Sequence, residues 1–304
     1  MRVQLKKILF ATDLSDASNR ALPFAESLAR KFSAKLIVCH AFDFTAVGTY
    51  DASLMVSAAR ARELADAAKQ KIGDLLRGST LQWEPLIVEG DPALTLADTA
   101  DAHGVDLIVV GTHGRTGLKR ALLGSVAERL LHATHRPILT IRTSGAEQAS
   151  FETWPLRRIL IGCDFSPDSR TALDYGISLA QELQSELHLL HAIEPSIYSR
   201  IDAMASTLAA ELERAVEKTV QQKLDGLVPQ EARTWCNVKT AVAVGQPHEE
   251  LIKYAQKHSV GLIITGHRGH GLVDRMLLGS TTDRLVRTSS CPVLTVESPK
   301  EKSS

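Results

Sequence analysis

The chain is one unit of about 150 residues written twice, and this repeat limits its folding more than any other feature. Ile8-Leu-Phe-Ala-Thr-Asp13-Leu-Ser15 aligns with Ile159-Leu-Ile-Gly-Cys-Asp164-Phe-Ser166 at an offset of 151. The same offset carries Leu36-Ile-Val-Cys-His40-Ala41 onto Leu187-His-Leu-Leu-His191-Ala192. Further on, Gly90-Asp-Pro92 meets Gly245-Gln-Pro247 at an offset of 155, so the second copy gains four residues between His191 and Gly245. A period of roughly 20 to 50 residues would mean a solenoid. A period this long means duplicated domains, each large enough to bury its own core.

Within each copy short apolar runs alternate with helical periodicity. The runs at 7–12, 36–41, 81–88, 106–111 and 138–142 read as strands, and 158–163, 187–192, 236–243, 261–266 and 293–296 repeat them. Such an order implies βαβ units and a parallel sheet buried on both faces. Helix starts are marked at Ser15, at Ser166-Pro167, and after the two Gly-x-Pro turns. The stretches 57–77 and 204–226 are alanine-rich and charged, as surface helices are. The expected architecture is α/β: two tandem Rossmann-like domains, each a five-stranded parallel sheet of order 3-2-1-4-5 with helices on both faces. The expected boundaries are 1–145 and 158–298, with a linker at 146–157 and a polar tail at 299–304.

One glycine pattern also occurs in both copies. Gly111-Thr-His-Gly114 is followed after nine residues by Gly124-Ser125, and Gly266-His-Arg-Gly269 after nine by Gly279-Ser280. One such match would arise by chance in roughly one in a hundred chains of this length; two in register would not. In a doubly wound sheet the ligand crevice lies where strand order reverses, here between the first and fourth strands. Asp13 and Asp164 end the first strands, and Gly111 and Gly266 end the fourth. Both features therefore fall on one crevice per copy. Gly124-Ser125-Val126-Ala127 and Gly279-Ser280-Thr281-Thr282 lead into helices, whose N-termini offer N–H groups to phosphate. Arg115, Lys119 and Arg120, or Arg268 and Arg275, could neutralise charge. Asp13 or Asp164 could take a ribose hydroxyl or help hold a metal. Each part also has an ordinary reading: serine as a helix cap, aspartate as the closure of a turn.

The remaining features mostly exclude. Formal net charge is zero, with 35 basic and 35 acidic residues, so no global nucleic-acid or membrane field is implied. The short apolar run at the N-terminus reads as a first strand rather than a signal peptide, and no run spans a bilayer. Cys39, Cys163, Cys236 and Cys291 lack CxxC spacing and read as reduced thiols, which points to the cytoplasm. No GxxxxGK[ST] loop or GxGxxG after a first strand is present, which disfavours P-loop hydrolysis and hydride transfer. His132 with His135, or His267 with His270, would need a second ligand pair to hold zinc. An ATP-hydrolysing enzyme and a metal- or lipid-binding protein using the same crevices stay open as alternatives.

At these residues the chain resembles the universal stress protein family in its tandem form. The resemblance spans both halves and rests on Thr12-Asp13-Leu-Ser, Cys163-Asp164-Phe-Ser, the His40-Ala41 and His191-Ala192 strand ends, and both glycine motifs. The G-x2-G-x9-G-[ST] pattern marks that family's ATP-binding branch. The resemblance implies adenine nucleotide alpha hydrolase-like domains binding ATP, with or without magnesium held chiefly by its phosphates. It places Thr12 and Asp13, or Cys163 and Asp164, beside the nucleotide and the backbone of Ala41 or Ala192 against adenine. Gly111, His113, Gly114, Arg115, Gly124, Ser125, Val126 and Ala127 would cradle ribose and phosphates in the first half. Gly266, Arg268, Gly269, Gly279, Ser280, Thr281 and Thr282 would do so in the second. The implied role is a nucleotide-dependent regulator or protective factor with at most slow hydrolysis and no assigned catalytic residue. The halves are expected to pair through their last strands as a dimer within one chain, and a homodimer is compatible. The second copy departs at Gly162-Cys163, at Gly261 in place of Asp106, and at Arg268 in place of His113, which suggests a more cationic second site.

Overall fold

The computed structural model describes residues 3–43, 58–112, 123–142, 156–194, 206–269 and 278–299, without the side chains of 58–61 and 206–210. The chain divides into two compact units, Gln4–Trp154, and Pro155–Ser304 together with Met1–Val3. Val3 joins the second unit because its buried backbone N–H donates to Ser178 Oγ at 2.6 Å.

In the first unit the order is β1 (Lys7–Ala11), α1 (Asp16–Asn19), α2 (Leu22–Phe32), β2 (Lys35–Phe42), α3 (Ala58–Leu75), β3 (Trp83–Glu89), α4 (Pro92–Ala102), β4 (Leu107–Gly111), α5 (Ser125–Ala133) and β5 (Ile138–Ile141). The second has β6 (Arg158–Gly162), α6 (Pro167–Leu183), β7 (Glu186–Ile193), α7 (Ser206–Leu227), α8 (Ala232–Trp235), β8 (Val238–Val244), α9 (Pro247–Lys257), β9 (Leu262–Gly266), α10 (Ser280–Thr288) and β10 (Val293–Val296). The first sheet runs β3-β2-β1-β4-β5 and the second β8-β7-β6-β9-β10. Neighbouring strands in each sheet are parallel. This is the order 3-2-1-4-5 in both copies. Its physical basis is visible in β1, where Ile8, Leu9 and Phe10 are fully buried, so a continuous apolar run is required rather than alternation.

Local chemistry explains where the copies differ. The helix after the first strand is continuous in α6 but broken into α1 and α2, because Pro23 lies in the first turn of α2 and cannot continue a helix from α1. Gly90 and Gly245 take φ of +137° and +155° before α4 and α9, where a side chain would be strained. The extra residues of the second copy lengthen α7 and add α8, which the first unit lacks. Asp106 accepts from the backbone N–H groups of Lys6 and Lys7 at 2.7 and 2.9 Å, tying down the entry to β1. Its loss at Gly261 therefore falls at the opposite end of the sheet from the crevice. Burial pushes the Cys39 thiol up to about 12, and all four cysteines are free thiols.

At the strand starts of the second unit, His188 is fully buried where the first copy carries Ile37. Its Nδ1 lies 3.0 Å from Tyr254 Oη and its Nε2 3.4 Å from Glu186 Oε2. Glu186 is gripped by Arg158, Asn237 and Lys239, with the Arg158 bond foremost in bringing its carboxyl down to about 2. Burial holds the His188 pKa below the ordinary 6.5, against the pull of Glu186, while Lys239 and His258 push it the same way as burial. A base whose folded pKa is depressed contributes stability that is complete above its unfolded pKa and lost as pH falls through the folded value. The Glu186 contribution disappears only between about 4.5 and 2. Between pH 7 and pH 5, His188→Ile is therefore expected to flatten the fall in stability of the second unit. Urea titration with amide exchange at β7 checks this, and parallel pH dependences for both proteins would refute it.

Candidate functional site

In the first unit the site starts from a tight turn at the end of β1. Thr12 N–H donates to Cys39 O at 3.0 Å, extending the β1–β2 pairing by one residue. Leu14 then takes φ of +62°, a left-handed conformation that a branched apolar residue seldom adopts. The turn is held by side chains: Asp13 Oδ1 accepts from Ser15 N at 3.0 Å and from Ser15 Oγ at 2.6 Å. Buried Thr12 hydroxyl accepts from Leu14 N at 2.9 Å and donates to Asn19 Oδ1 at 2.7 Å. His40 Nδ1 lies 2.8 Å from Thr12 O, which fixes the exit from the strand. β2 continues past its last β1 pairing, Ala11 with Cys39, so Ala41 stands beside the turn.

The second unit repeats this device. Phe165 has φ of +66°, Asp164 Oδ1 accepts from Ser166 N at 2.9 Å, and His191 Nδ1 lies 2.7 Å from Cys163 O. The His191 pKa is lowered, chiefly by burial, so a neutral ring suited to a fixed hydrogen bond is favoured. Phe165 stacks on His191 at 4.8 Å between centroids, with Lys223 Nζ 4.0 Å from its ring. Cys163 is buried and its thiol pKa raised, chiefly by burial, so it packs rather than reacts.

The glycine loop meets this turn in the second unit. A Cβ at Gly269 would lie 2.6 Å from Asp164 Oδ2, so the loop backbone passes directly over the carboxylate. Gly279 N–H donates to His267 O at 2.9 Å, and a Cβ there would sit 3.5 Å from Gly269 N. The turn after β6, the exit of β9 and the start of α10 thus converge. In the first unit Gly124 N–H likewise donates to Thr112 O at 2.7 Å, placing the start of α5 beside the end of β4.

Several expected site residues take more specific places. Gly124 and Gly279 are the helix caps, without a side-chain cap bond, and Ser125 and Ser280 are exposed first helical residues rather than caps. Val126 and Thr281 are half-buried. Ala127 and Thr282 point into the core, and Thr282 Oγ1 donates to Gly266 O at 2.7 Å, so only their backbone faces outward chemistry. Gly111 and Gly266 end their strands, and a Cβ at Gly266 would strike Asp168 Cβ at 2.7 Å. Ala192 pairs in register with Ala243 in the same manner as Ala41 with Val88. Arg268, on which the expectation of a more cationic second site rests, does not stand as an isolated charge. Arg268 is paired with both Asp168 and Glu297, so its charge is already compensated. Sequence reading missed Asp168 because its counterpart, Ala17, is inert and breaks the repeat. His113, Gly114 and Arg115, with Lys119, Arg120 and Arg275, lie outside the described residues.

The family model described as the universal stress protein family matches residues 4–142 and 155–297. The chain belongs to the universal stress protein family. A universal stress protein of Mycolicibacterium smegmatis is 28% identical over 297 residues, covering 95% of this chain and 96% of that one. One from Methanocaldococcus jannaschii is 34% identical over 139 residues, 45% of this chain and 82% of the relative. The crystal structure of a universal stress protein from Archaeoglobus fulgidus superposes with a TM-score of 0.67 at 23% identity, covering 97% of this chain and all 100% of that one. That likeness carries the tandem universal stress protein fold. Among the described residues, no helix of this family member is long and apolar enough to cross a membrane.

Proposed function

We propose that this universal stress protein binds ATP in each unit and acts as a nucleotide-dependent regulator or protective factor, with at most slow hydrolysis. The observation that carries the reading is the placement of Gly269 against Asp164 beside the start of α10. A glycine backbone and a helix N-terminus lacking a side-chain cap suit the phosphates of a nucleoside triphosphate, and the carboxylate suits its ribose. Donor N–H groups and the helix dipole suit phosphate oxygens, and the carboxylate suits a ribose hydroxyl. Magnesium would be held chiefly by the phosphates. No general base is assigned for in-line attack on a γ-phosphate, so binding rather than turnover is proposed. Cytoplasmic residence follows the same reading.

The test begins with denaturing the purified protein, chromatographing the released nucleotide and titrating ATP by calorimetry. Asp13→Ala and Asp164→Ala are each expected to remove one binding event, and the double variant both, with affinity falling at least about tenfold per site. No released adenine nucleotide and no heat on titration would overturn the proposal.

A further inference from the structure

The second unit carries a buried clasp whose carboxylates have no counterpart in the sequence of the first copy. Asp168 stands in the first turn of α6 and is only 5% exposed. Its Oδ2 accepts from Arg268 N–H at 3.0 Å and faces Arg268 Nε at 3.7 Å. Its Oδ1 accepts from Ser298 N at 3.0 Å and Ser298 Oγ at 2.6 Å. The other face of the Arg268 guanidinium is ion-paired with Glu297. One carboxylate thus joins the start of α6, the loop leaving β9 and the segment leaving β10. Arg268 immediately precedes Gly269, the residue that lies over Asp164. At the aligned positions of the first copy stand Ala17, His113 and Arg142, so no carboxylate is available at either end.

We propose that Asp168 is a positioning residue which presets the backbone at Arg268 and Gly269 beside the second nucleotide site, so that this site binds ATP more tightly than it would without that carboxylate. The inference rests on the nucleotide reading above. Its physical basis is that a loop already fixed by hydrogen bonds loses less freedom when a ligand arrives. Arg268 serves this purpose through its backbone N–H and its buried ion pairs, and its charge is withheld from the phosphates. The cost is two carboxylates near an anionic ligand. Four donors face the Asp168 oxygens and Arg268 grips Glu297, which localises that charge.

The experiment uses the full chain with its first site silenced by Asp13→Ala. ATP affinity is measured with and without Asp168→Ala, and amide exchange at Arg268 and Ser298 is followed without nucleotide. Asp168→Ala is expected to weaken the second site about tenfold, the order set by freeing one or two loop residues, and to accelerate Arg268 exchange. Asp168→Asn keeps an acceptor oxygen and should recover part of both effects; it also carries the comparison if the alanine variant unfolds. Unchanged or tighter second-site binding in both variants would overturn the proposal, as would an Arg268 amide that already exchanges freely in the unmodified chain. Failure of ATP to bind the unmodified chain would instead overturn the nucleotide reading, and the affinity claim with it.

Discussion

Gly269→Val is expected to weaken the proposed ATP binding at the second site by at least about a hundredfold while leaving the unit folded. The new Cβ would lie 2.6 Å from Asp164 Oδ2, and the next nearest atom, Asp164 Cγ, is 3.8 Å away. The obstruction is thus the end of one side chain, which can rotate aside at the cost of its hydrogen bond from Ser166 N–H, about 1 kcal/mol. Rotation removes the carboxylate from the crevice and leaves a branched side chain where phosphate would approach the backbone. Binding should fall by at least about a hundredfold, because a steric block and a lost charged hydrogen bond act together. The thermal midpoint should fall by only about 2 to 4 °C, since about 1 kcal/mol is lost from a unit of this size. Calorimetry with ATP and a parallel thermal scan check both halves. Retained second-site binding would show that the loop does not face the nucleotide. Gly114→Val is the counterpart set by the repeat for the first site.

Gly266→Ala, three residues earlier, should do the reverse. Its Cβ would lie 2.7 Å from Asp168 Cβ, 2.8 Å from the Asp168 backbone carbon and 3.0 Å from Ser169 N. Backbone cannot rotate aside as the Asp164 carboxylate can. Either α6 lifts from the end of β9 or the strand end bends away. Overpacking against backbone costs about 3 kcal/mol, which for a unit of this size lowers the thermal midpoint by roughly 6 to 12 °C. The helix start that must move carries Asp168, so the bond to Arg268 should loosen as well. Denaturant titration of Gly266→Ala measures the loss. A midpoint within about 2 °C of the unmodified chain would mean that α6 is seated less tightly than its spacing indicates.

These neighbouring glycines show what was legible in advance. Both were read as cradling one ligand, because both belong to one repeated pattern. Only the fold separates them, since Gly266 meets the backbone of Asp168 and Gly269 the carboxylate of Asp164, 98 and 105 residues earlier in the chain. Ser125 and Ser280 were similarly read with their glycines as one phosphate-binding start. Their exposure beyond the glycine caps depends on where Gly124 and Gly279 bond, to Thr112 O and His267 O. The sequence presents Arg268 as a cation available to phosphate, because its two carboxylate partners, Asp168 and Glu297, have no acidic counterparts in the first copy, where Ala17 and Arg142 stand.

The sequence by itself determined the duplication, the strand order class and the meeting of Asp164 with a glycine loop. Those features are local or periodic: apolar runs of strand length, glycines at fixed spacing, prolines at helix starts. Even the break between α1 and α2 is written in Pro23. The tertiary structure decided which glycine packs on a helix and which lies over the Asp164 carboxylate, and that one buried carboxylate ties Arg268 to α6. Such distinctions come from contacts between segments a hundred or more residues apart, as between Asp168, Arg268 and Ser298. Chain periodicity does not encode those contacts, because they form only once α6, β9 and β10 are brought together.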